Sequence, residues 1–580
     1  YGDHRDLHSL PTRRSSDLYE HYDYARFEEA IGLFVEALGL GEAEDIAKAE
    51  LSVPPGEEET ARALEALLDE YDKIGTLSAI NQYQYSQDIT DEAVKDEMNY
   101  METLIPDVFN LLLDTLQAVQ KNPQAGPVLD KVLGESRAED LSESEGLTER
   151  QKAIREEENR LEQAFDSLEE RSDYEEKGEI YLKLLKLRNE FAKEAGYKDY
   201  HEMDLAESYG RDFSDEELED YFTAVKETFV PLYMALAMRV NWRTIEDYHY
   251  PEGETLESLV GNHLGHISSE LLESYDYLLE NDLLLLGDAP ENEEVSYTIG
   301  LPSYHSALIF IRDGGDYANL STLIHEFGHF NTAVRETGDS FFSHSNIDLA
   351  EIHSQGLELL FLPYADEMYQ AAADDARNMI LLNMVWAVLT GCLYHEFEIF
   401  AYTAPDPDLE TLQEGYLDIA EDYLPGMNDE NDWMFWHLYH APFYYISYSL
   451  SAMASLTLLP EMRENWRGAV ESYLKLCAMG EASYPFRETL ERAGLADIFS
   501  LRTVREIASE ISRWMQDPIV MTPGFAEGRE TEGAEEGDEK ESRPSISLPE
   551  YGTEAEPSDN TEAGKRQDER PEDRQEASEA

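Results

Sequence analysis

The sequence predicts a mainly α-helical protein with one short β element, and three observations point there. From about Tyr19 onward, apolar residues recur three and four apart, as in "YARFEEAIGLFVEALGL" (Tyr24 to Leu40). That spacing puts them on one face of a helix. Gly- and Pro-rich punctuation, "SVPPGEEE" and "KNPQAGPVL", separates such stretches and marks the turns between helices. One run, "YHSALIFIR" (Tyr304 to Arg312), is instead apolar and partly β-branched, with "GLPS" before it and "DGGD" after it. It predicts a strand in a small sheet.

Taken in order, residues 1–18 stand apart. "HRDLHSLPTRRSSDL" (His4 to Leu18) has neither periodicity nor the layout of a signal peptide. It resembles translated sequencing-adapter sequence, so the expectation is a non-native segment fused to a domain truncated at its N-terminal side. The stretch from Leu147 to Ala192 is charged and helix-favouring, with apolar residues at helical spacing. "SDEELEDYF" (Ser214 to Phe222) opens with a capping box, Ser214 as the cap and Glu217 three residues later. Met379 to Tyr394 is the longest apolar run, but Asn383 and Thr390 interrupt it and it is too short to span a bilayer. It predicts a buried core helix. After Met521 the composition changes: the last 59 residues hold 19 acidic and 7 basic residues and few large apolar ones. Such a segment cannot offset its ordering entropy by burial and is expected to be disordered. The expected division is therefore 1–18, a helical domain over 19–521, and an acidic tail over 522–580.

Charge narrows the partners. The 580 residues include 125 acidic and 44 basic side chains, for a formal net charge of −81. A surface of that sign repels a nucleic-acid backbone or an anionic membrane, so neither is an expected partner. Cys392 and Cys477 are the only cysteines, too few for a disulfide framework or a thiolate zinc cluster. Any metal must rest on histidine and carboxylate.

One stretch supplies them. "TLIHEFGHF" (Thr322 to Phe330) holds His325 and His329 four apart with Glu326 directly after the first. On a helix, positions four apart share a face, so both imidazoles could reach one ion at about 2.0–2.1 Å. Glu326 is then placed to take a proton from a water that zinc has acidified, the metallopeptidase pattern H-E-x-x-H. "HEFEIF" (His395 to Phe400) serves as a control: it has Ile399 where the second histidine belongs and reads as an ordinary helix. A catalytic zinc wants a third protein ligand. "NIDLAEIHSQGLELLFL" (Asn346 to Leu362) reads as a helix with Ile347, Ala350, Leu357 and Leu360 fit for burial. Glu351 and Glu358, seven apart, share one of its faces with Ser354 between them. His353 is another candidate ligand, about 160° around the helix from Glu351.

These residues resemble the thimet oligopeptidase and oligoendopeptidase F group of zinc peptidases. In that group H-E-x-x-H is followed, some two dozen residues on, by a helix reading E-x-x-S-x-x-x-E, matched here by Glu351, Ser354 and Glu358. The resemblance implies that Glu351 is the third zinc ligand. "HLYHAPFYYISYSL" (His437 to Leu450) looks like the C-terminal signature of the group, in which a histidine precedes a tyrosine-rich helix. By position it implies catalytic roles for His437, Tyr445 and Tyr448, with Tyr444 a possible substitute. "LLKLRNEFAKEAGYKDYHEMDL" (Leu184 to Leu205) is similar to a region where a helix ends in Gly-Tyr. Thr332 stands where the group often has another histidine, and "DGGDYANLS" replaces its usual upstream pattern.

The resemblance further implies two helical lobes around a deep substrate channel, with a small sheet beside one zinc ion, and a cytoplasmic endopeptidase acting on short unstructured peptides. "HSALIFI" is the expected strand edge for substrate backbone, and Asp348 or Glu358 is expected to orient a ligand histidine. Two alternatives remain: a zinc carboxypeptidase of related helical fold, and a catalytically inactive peptide-binding protein.

Overall fold

A computed structural model describes residues 21–521 except 42–44, 52, 135–136, 139–140, 142–147, 169–171, 336–339, 343–345 and 481–483. The readings made for residues 1–18 and for the tail 522–580 lie outside the described residues.

The helical expectation holds throughout, and the apolar residues gather into two cores. The first is built by the helices Tyr24–Ala37, Glu57–Gln87, Glu92–Gln120 and Gly126–Leu133, with Phe27, Phe34, Leu67, Val108, Leu112 and Leu116 at its centre. The second takes in most of the remaining described chain, Phe341 belonging to the first core, and contains the strands and the long helix Ala373–Thr403. One element belongs to both. The helix Glu57–Gln87 gives Leu64, Leu67, Leu68, Ile74 and Leu77 to the first core, and Ala79, Ile80 and Tyr83 to the second. Its far end is fastened by polar contacts: Ser86 Oγ donates to Glu293 at 2.5 Å, and Gln82 Nε2 donates to the same carboxylate at 3.2 Å.

Local expectations are met where the signal was local. Ser214 and Glu217 form the capping box of Asp215–Ala237, and the helix Tyr174–Ala195 ends at Gly196. The apolar run Met379 to Tyr394 lies inside Ala373–Thr403, and 83% of its most apolar window is buried in the second core. Its hydrophobicity is therefore that of a core helix. His395 in the control stretch is buried in the same helix, and Glu396 pairs with Lys226 at 2.8 Å.

The predicted strand is Ser306–Arg312, here β3, and it has two partners: β1 (Leu284–Gly287), parallel to it, and β2 (Tyr297–Leu301), antiparallel. The order is β1-β3-β2. The expectation that "HSALIFI" forms an edge is thus corrected: β3 is the central strand. Residues 307–311 are completely buried, and an apolar run buried on both faces is what a central strand requires. The edges are β1 and β2. After β3 the chain turns through Asp313 to Gly315, where Asp313 Oδ1 accepts from Asn319 Nδ2 at 2.7 Å and from Gly315 N at 3.1 Å. Gly315 has φ +90°, a conformation glycine takes without a Cβ penalty. The helix Asp316–Ala333 starts at once, carrying the histidine pair.

Candidate metal centre

His325 and His329 sit one turn apart on that helix, their ring centroids 5.1 Å apart. The chain then returns through a short helix, Ile347–Ala350, and a longer one, Ile352–Phe361. The continuous helix expected over 346–362 is interrupted at Glu351. At the interruption the Asp348 carbonyl accepts Ser451 Oγ at 2.7 Å, and the Asp348 carboxylate is held by Arg211 and Ser447. Glu351, placed in this break, reaches the histidines: its Oε2 lies 3.2 Å from His325 Nε2 and 3.5 Å from His329 Nε2. Among the described residues, these three form the one cluster able to hold a metal ion.

Gly328 makes the convergence possible. A Cβ there would lie 2.5 Å from Ser354 Cα and 2.6 Å from the His353 carbonyl oxygen, closer than non-bonded atoms pack. The histidine helix and the return helix therefore meet backbone to backbone at the fourth residue of H-E-F-G-H. His353 is itself fully buried, and burial lowers its imidazole to about 3. It stands outside the ligand cluster.

The donor set fits a zinc ion. Ligand atoms at about 2.0–2.1 Å from a tetrahedral ion lie roughly 3.3–3.4 Å from one another, which the two distances to Glu351 bracket. The three side chains keep 29%, 22% and 24% of their surface exposed, which leaves room for an open fourth position. Glu358 Oε1 lies 2.7 Å from His325 Nδ1. It fixes the ring so that Nε2 faces the cluster, the usual partner of a ligating histidine. Of the two carboxylates expected to orient a ligand histidine, Glu358 is the one that contacts His325, while Asp348 is held by Arg211 and Ser447. Burial draws the Glu351 carboxyl upward, but hydrogen bonds from His325 and His329 outweigh it and hold it well below the usual carboxylate range. Burial would lower His325; Glu351 and Glu358 instead raise it well above its ordinary value.

Glu326 is 7% exposed. Thr298 of β2 donates to its Oε2 at 2.8 Å and to its carbonyl oxygen at 2.9 Å. The sheet therefore holds the carboxylate beside the ligands while leaving it out of the ligand cluster. A cavity of about 320 Å³ opens alongside, lined by His325, Glu326 and residues of three helices.

The histidine–tyrosine segment supplies the remaining candidates. Tyr448 Oη approaches His437 Nε2 at 3.5 Å. Burial first, then the Tyr444 phenol and the Glu351 carboxylate, push the Tyr448 phenol above its usual range, so Tyr448 lies within the field of the cluster. The Tyr444 ring packs at 5.6 Å from both Tyr448 and His437. Tyr445 stands edge-on to His437, Phe435 and Tyr394. Burial lowers His437 from its ordinary value.

A fastening that the motifs do not show ties this segment to the ligand turn. Ser447, Ser451 and Ser455, each four residues on, share one face of the helix Ile446–Leu456. They donate to Asp348 Oδ1 (2.6 Å), the Asp348 carbonyl (2.7 Å) and the Ile352 carbonyl (3.3 Å). Arg211, completely buried, joins Asp348 (3.2 Å), Asp204 (3.5 Å) and the Phe443 carbonyl (2.9 Å). Phe443 holds φ +61°, strained for a bulky residue, with its N–H on Glu398 at 2.9 Å. Both sides of the strained peptide are thus gripped, directly before Tyr444 and Tyr445. Of these groups only the serines leave a mark in the sequence, as a small polar stripe of helical period.

No family model matches the sequence, and no curated protein does. Solved structures match in fold: the chain adopts an oligoendopeptidase-type helical fold around its histidine–glutamate cluster. A Bacillus anthracis structure carrying the name oligoendopeptidase F is 21% identical, with a TM-score of 0.67 over 87% of this chain and 98% of that one. PZ peptidase A, solved with an inhibitor, is 21% identical with a TM-score of 0.65 over 87% and 99%. A Pyrococcus furiosus carboxypeptidase is 15% identical with a TM-score of 0.55 over 78% and 99%. At these identities the likeness is one of fold.

Proposed function

We propose that the protein is a zinc-dependent endopeptidase that hydrolyses short, unstructured peptides. The observation that carries this reading is the convergence of His325, His329 and Glu351 on one point, with Glu326 held beside them by Thr298. One zinc ion bound there would lower the pKa of a water at its open position to about 7 and polarise the substrate carbonyl. Glu326 is placed to take a proton from a water attacking the scissile carbonyl and to deliver it to the leaving amine, and Thr298 keeps the carboxylate aimed. Glu358 holds His325 in the tautomer that presents Nε2. The Tyr448 phenol, kept protonated by its surroundings, and His437 donate to the carbonyl oxygen as negative charge grows on it. A donor of this kind is worth about 2.7–4 kcal/mol. Tyr445 supports the His437 ring by edge contact. Substrate backbone is expected to lie along β2, the edge strand that carries Thr298.

The carboxypeptidase alternative needs a cation to receive a free substrate carboxylate. Among the described residues that line the cavity beside the centre there is no lysine or arginine, which supports the endopeptidase reading. Both cysteines are free and buried, in keeping with the cytoplasm as the proposed compartment.

The test is hydrolysis of quenched-fluorescent peptides together with metal analysis of wild type and Glu326→Gln. The variant is expected to retain zinc and to lose turnover by about 10²–10⁴-fold, the share a general base supplies. Undiminished hydrolysis by the variant would sink the mechanism, and a wild-type protein that takes up no zinc would sink the metal assignment.

A further inference from the structure

The cavity beside the centre carries chemistry that the ligands and base leave unused. Besides His325 and Glu326, it is lined by Ser321 and Thr322 from the histidine helix, Gln355 and Glu358 from the return helix, and Asn383 and Met384 from the long helix. Gln355 is only 9% exposed, and its Oε1 has no hydrogen-bond partner among the described residues. A buried amide oxygen is rarely left unsatisfied. Glu358 spends one oxygen on His325, and a carboxylate has further acceptor capacity. Among the described residues the lining therefore offers two carboxylates and an unanswered amide oxygen, with no lysine or arginine. Met384, buried in the long helix, adds one apolar wall.

We propose, resting on the peptidase reading above, that this cavity is a side-chain subsite next to the scissile bond. It takes a basic substrate residue, arginine or lysine, whose head group is read by Gln355 and Glu358. The chemistry is complementary at both ends of such a side chain. Its methylene stem runs along Met384, as long basic side chains lie on apolar surface, and its N–H groups meet the two acceptors. A guanidinium has five donors and an ammonium three, with no acceptor to be left unpaired. The net charge of −81 works in the same direction, drawing cationic peptides to the molecule. A substrate carboxylate in this cavity would meet the like charges of Glu326 and Glu358, offset only in part by the metal held at its His325 end.

The experiment uses the full chain loaded with zinc and a quenched-fluorescent peptide of fixed length. The residues flanking the cleaved bond are varied one at a time among Arg, Lys, Gln, norleucine and Glu. At one of the two positions Arg and Lys should exceed norleucine in kcat/KM by about tenfold or more, with Glu the poorest, because a site built on acceptors discriminates against a side chain that cannot donate. Gln355→Met should cut the Arg-to-norleucine ratio severalfold. Asn383 is exposed on the long helix, so Asn383→Arg tests the same point without disturbing the core: it should shift preference from Arg toward Glu. Cleavage of all five peptides within about twofold at both positions, or a preference unmoved by either variant, would overturn the proposal and leave the peptidase intact. Failure to cleave any peptide with zinc bound would overturn the peptidase reading and this inference with it.

Discussion

Gly328 shows how one residue sets the geometry of the whole centre. Its missing side chain lets the return helix approach until Glu351 reaches the histidines, and the Cβ of an alanine would strike backbone atoms 2.5–2.6 Å away. Backbone cannot rotate aside as a side chain can, so the two helices must separate. Gly328→Ala is expected to cost about 1–3 kcal/mol of stability, as overpacking does, and to weaken zinc binding, because Glu351 moves with the return helix. Thermal melts of the metal-free and zinc-loaded protein separate these effects, and unaltered zinc affinity would contradict the role given to Gly328. A second residue makes a prediction about pH. Glu398 is buried under the strained Phe443 peptide, and burial drives its carboxyl well above the usual 4.5 despite the Phe443 hydrogen bond. A raised folded value means that the native state holds the proton more tightly than the unfolded chain. The stability this provides is complete below pH 4.5 and is lost as pH rises toward the folded value, by up to about 1.4 kcal/mol per pH unit. Glu398→Gln keeps an acceptor for Phe443 and removes the titration. Urea melts should therefore show the variant gaining on wild type as pH rises above about 4.5; parallel profiles would rule this out.

At the scale of elements, the centre depends on three chain segments held in register by buried polar contacts. Arg211 and Asp348, both fully buried and 3.2 Å apart, join the turn bearing Glu351 to the helix bearing Tyr448. Removing one partner leaves an uncompensated buried charge. Arg211→Met is accordingly expected to destabilise by about 3–5 kcal/mol, and Arg211→Met with Asp348→Asn by less than the sum of the single changes, since the residues are in contact. Denaturant melts of the four proteins measure the coupling, and strict additivity would refute it. This register is also where the sequence stops being informative. His325, Glu326 and His329 are legible because the helix brings them together within one turn. Glu351 is harder: composition and spacing leave Glu358 and His353 beside it, and only the two-motif resemblance distinguishes them. Thr298 lies 28 residues from Glu326 and Arg211 lies 137 from Asp348, so pairing between them is a product of tertiary folding that no local pattern encodes. The same holds for β1 and β2: β1 is a short leucine run and β2 alternates over only five residues, Tyr297, Ile299 and Leu301 against Thr298 and Gly300, so both depend on the hydrogen bonds that β3 offers.

At the scale of the whole molecule, charge is the dominant unspent force. The helix Glu57–Gln87 joins the two cores, but no apolar pattern announces how the acidic excess of the chain, net −81 over its 580 residues, is tolerated. Folding brings those charges closer together than they lie in the unfolded chain, so their repulsion works against the compact state. At about 0.01 M salt the Debye length is roughly 30 Å and most acidic pairs within the molecule feel one another; by about 0.5 M it has shrunk to a few ångströms. Pairs such as Arg211–Asp348 and Arg188–Glu158 are buried, and salt screens buried pairs much less than exposed ones. Screening should therefore remove more repulsion than attraction, and the melting temperature is expected to rise by several degrees as NaCl increases over that range. Two mechanisms can raise it, and they separate cleanly. Charge screening saturates once the Debye length falls below the spacing of surface charges and depends only on ionic strength. Exclusion of salt from the surface keeps growing with concentration and follows the identity of the anion. Melts in NaCl and in sodium sulfate at matched ionic strength should coincide up to about 0.5 M and diverge beyond it. A melting temperature that is flat or falls over that first range would show that local ion pairs, and not net repulsion, govern the stability of this acidic fold.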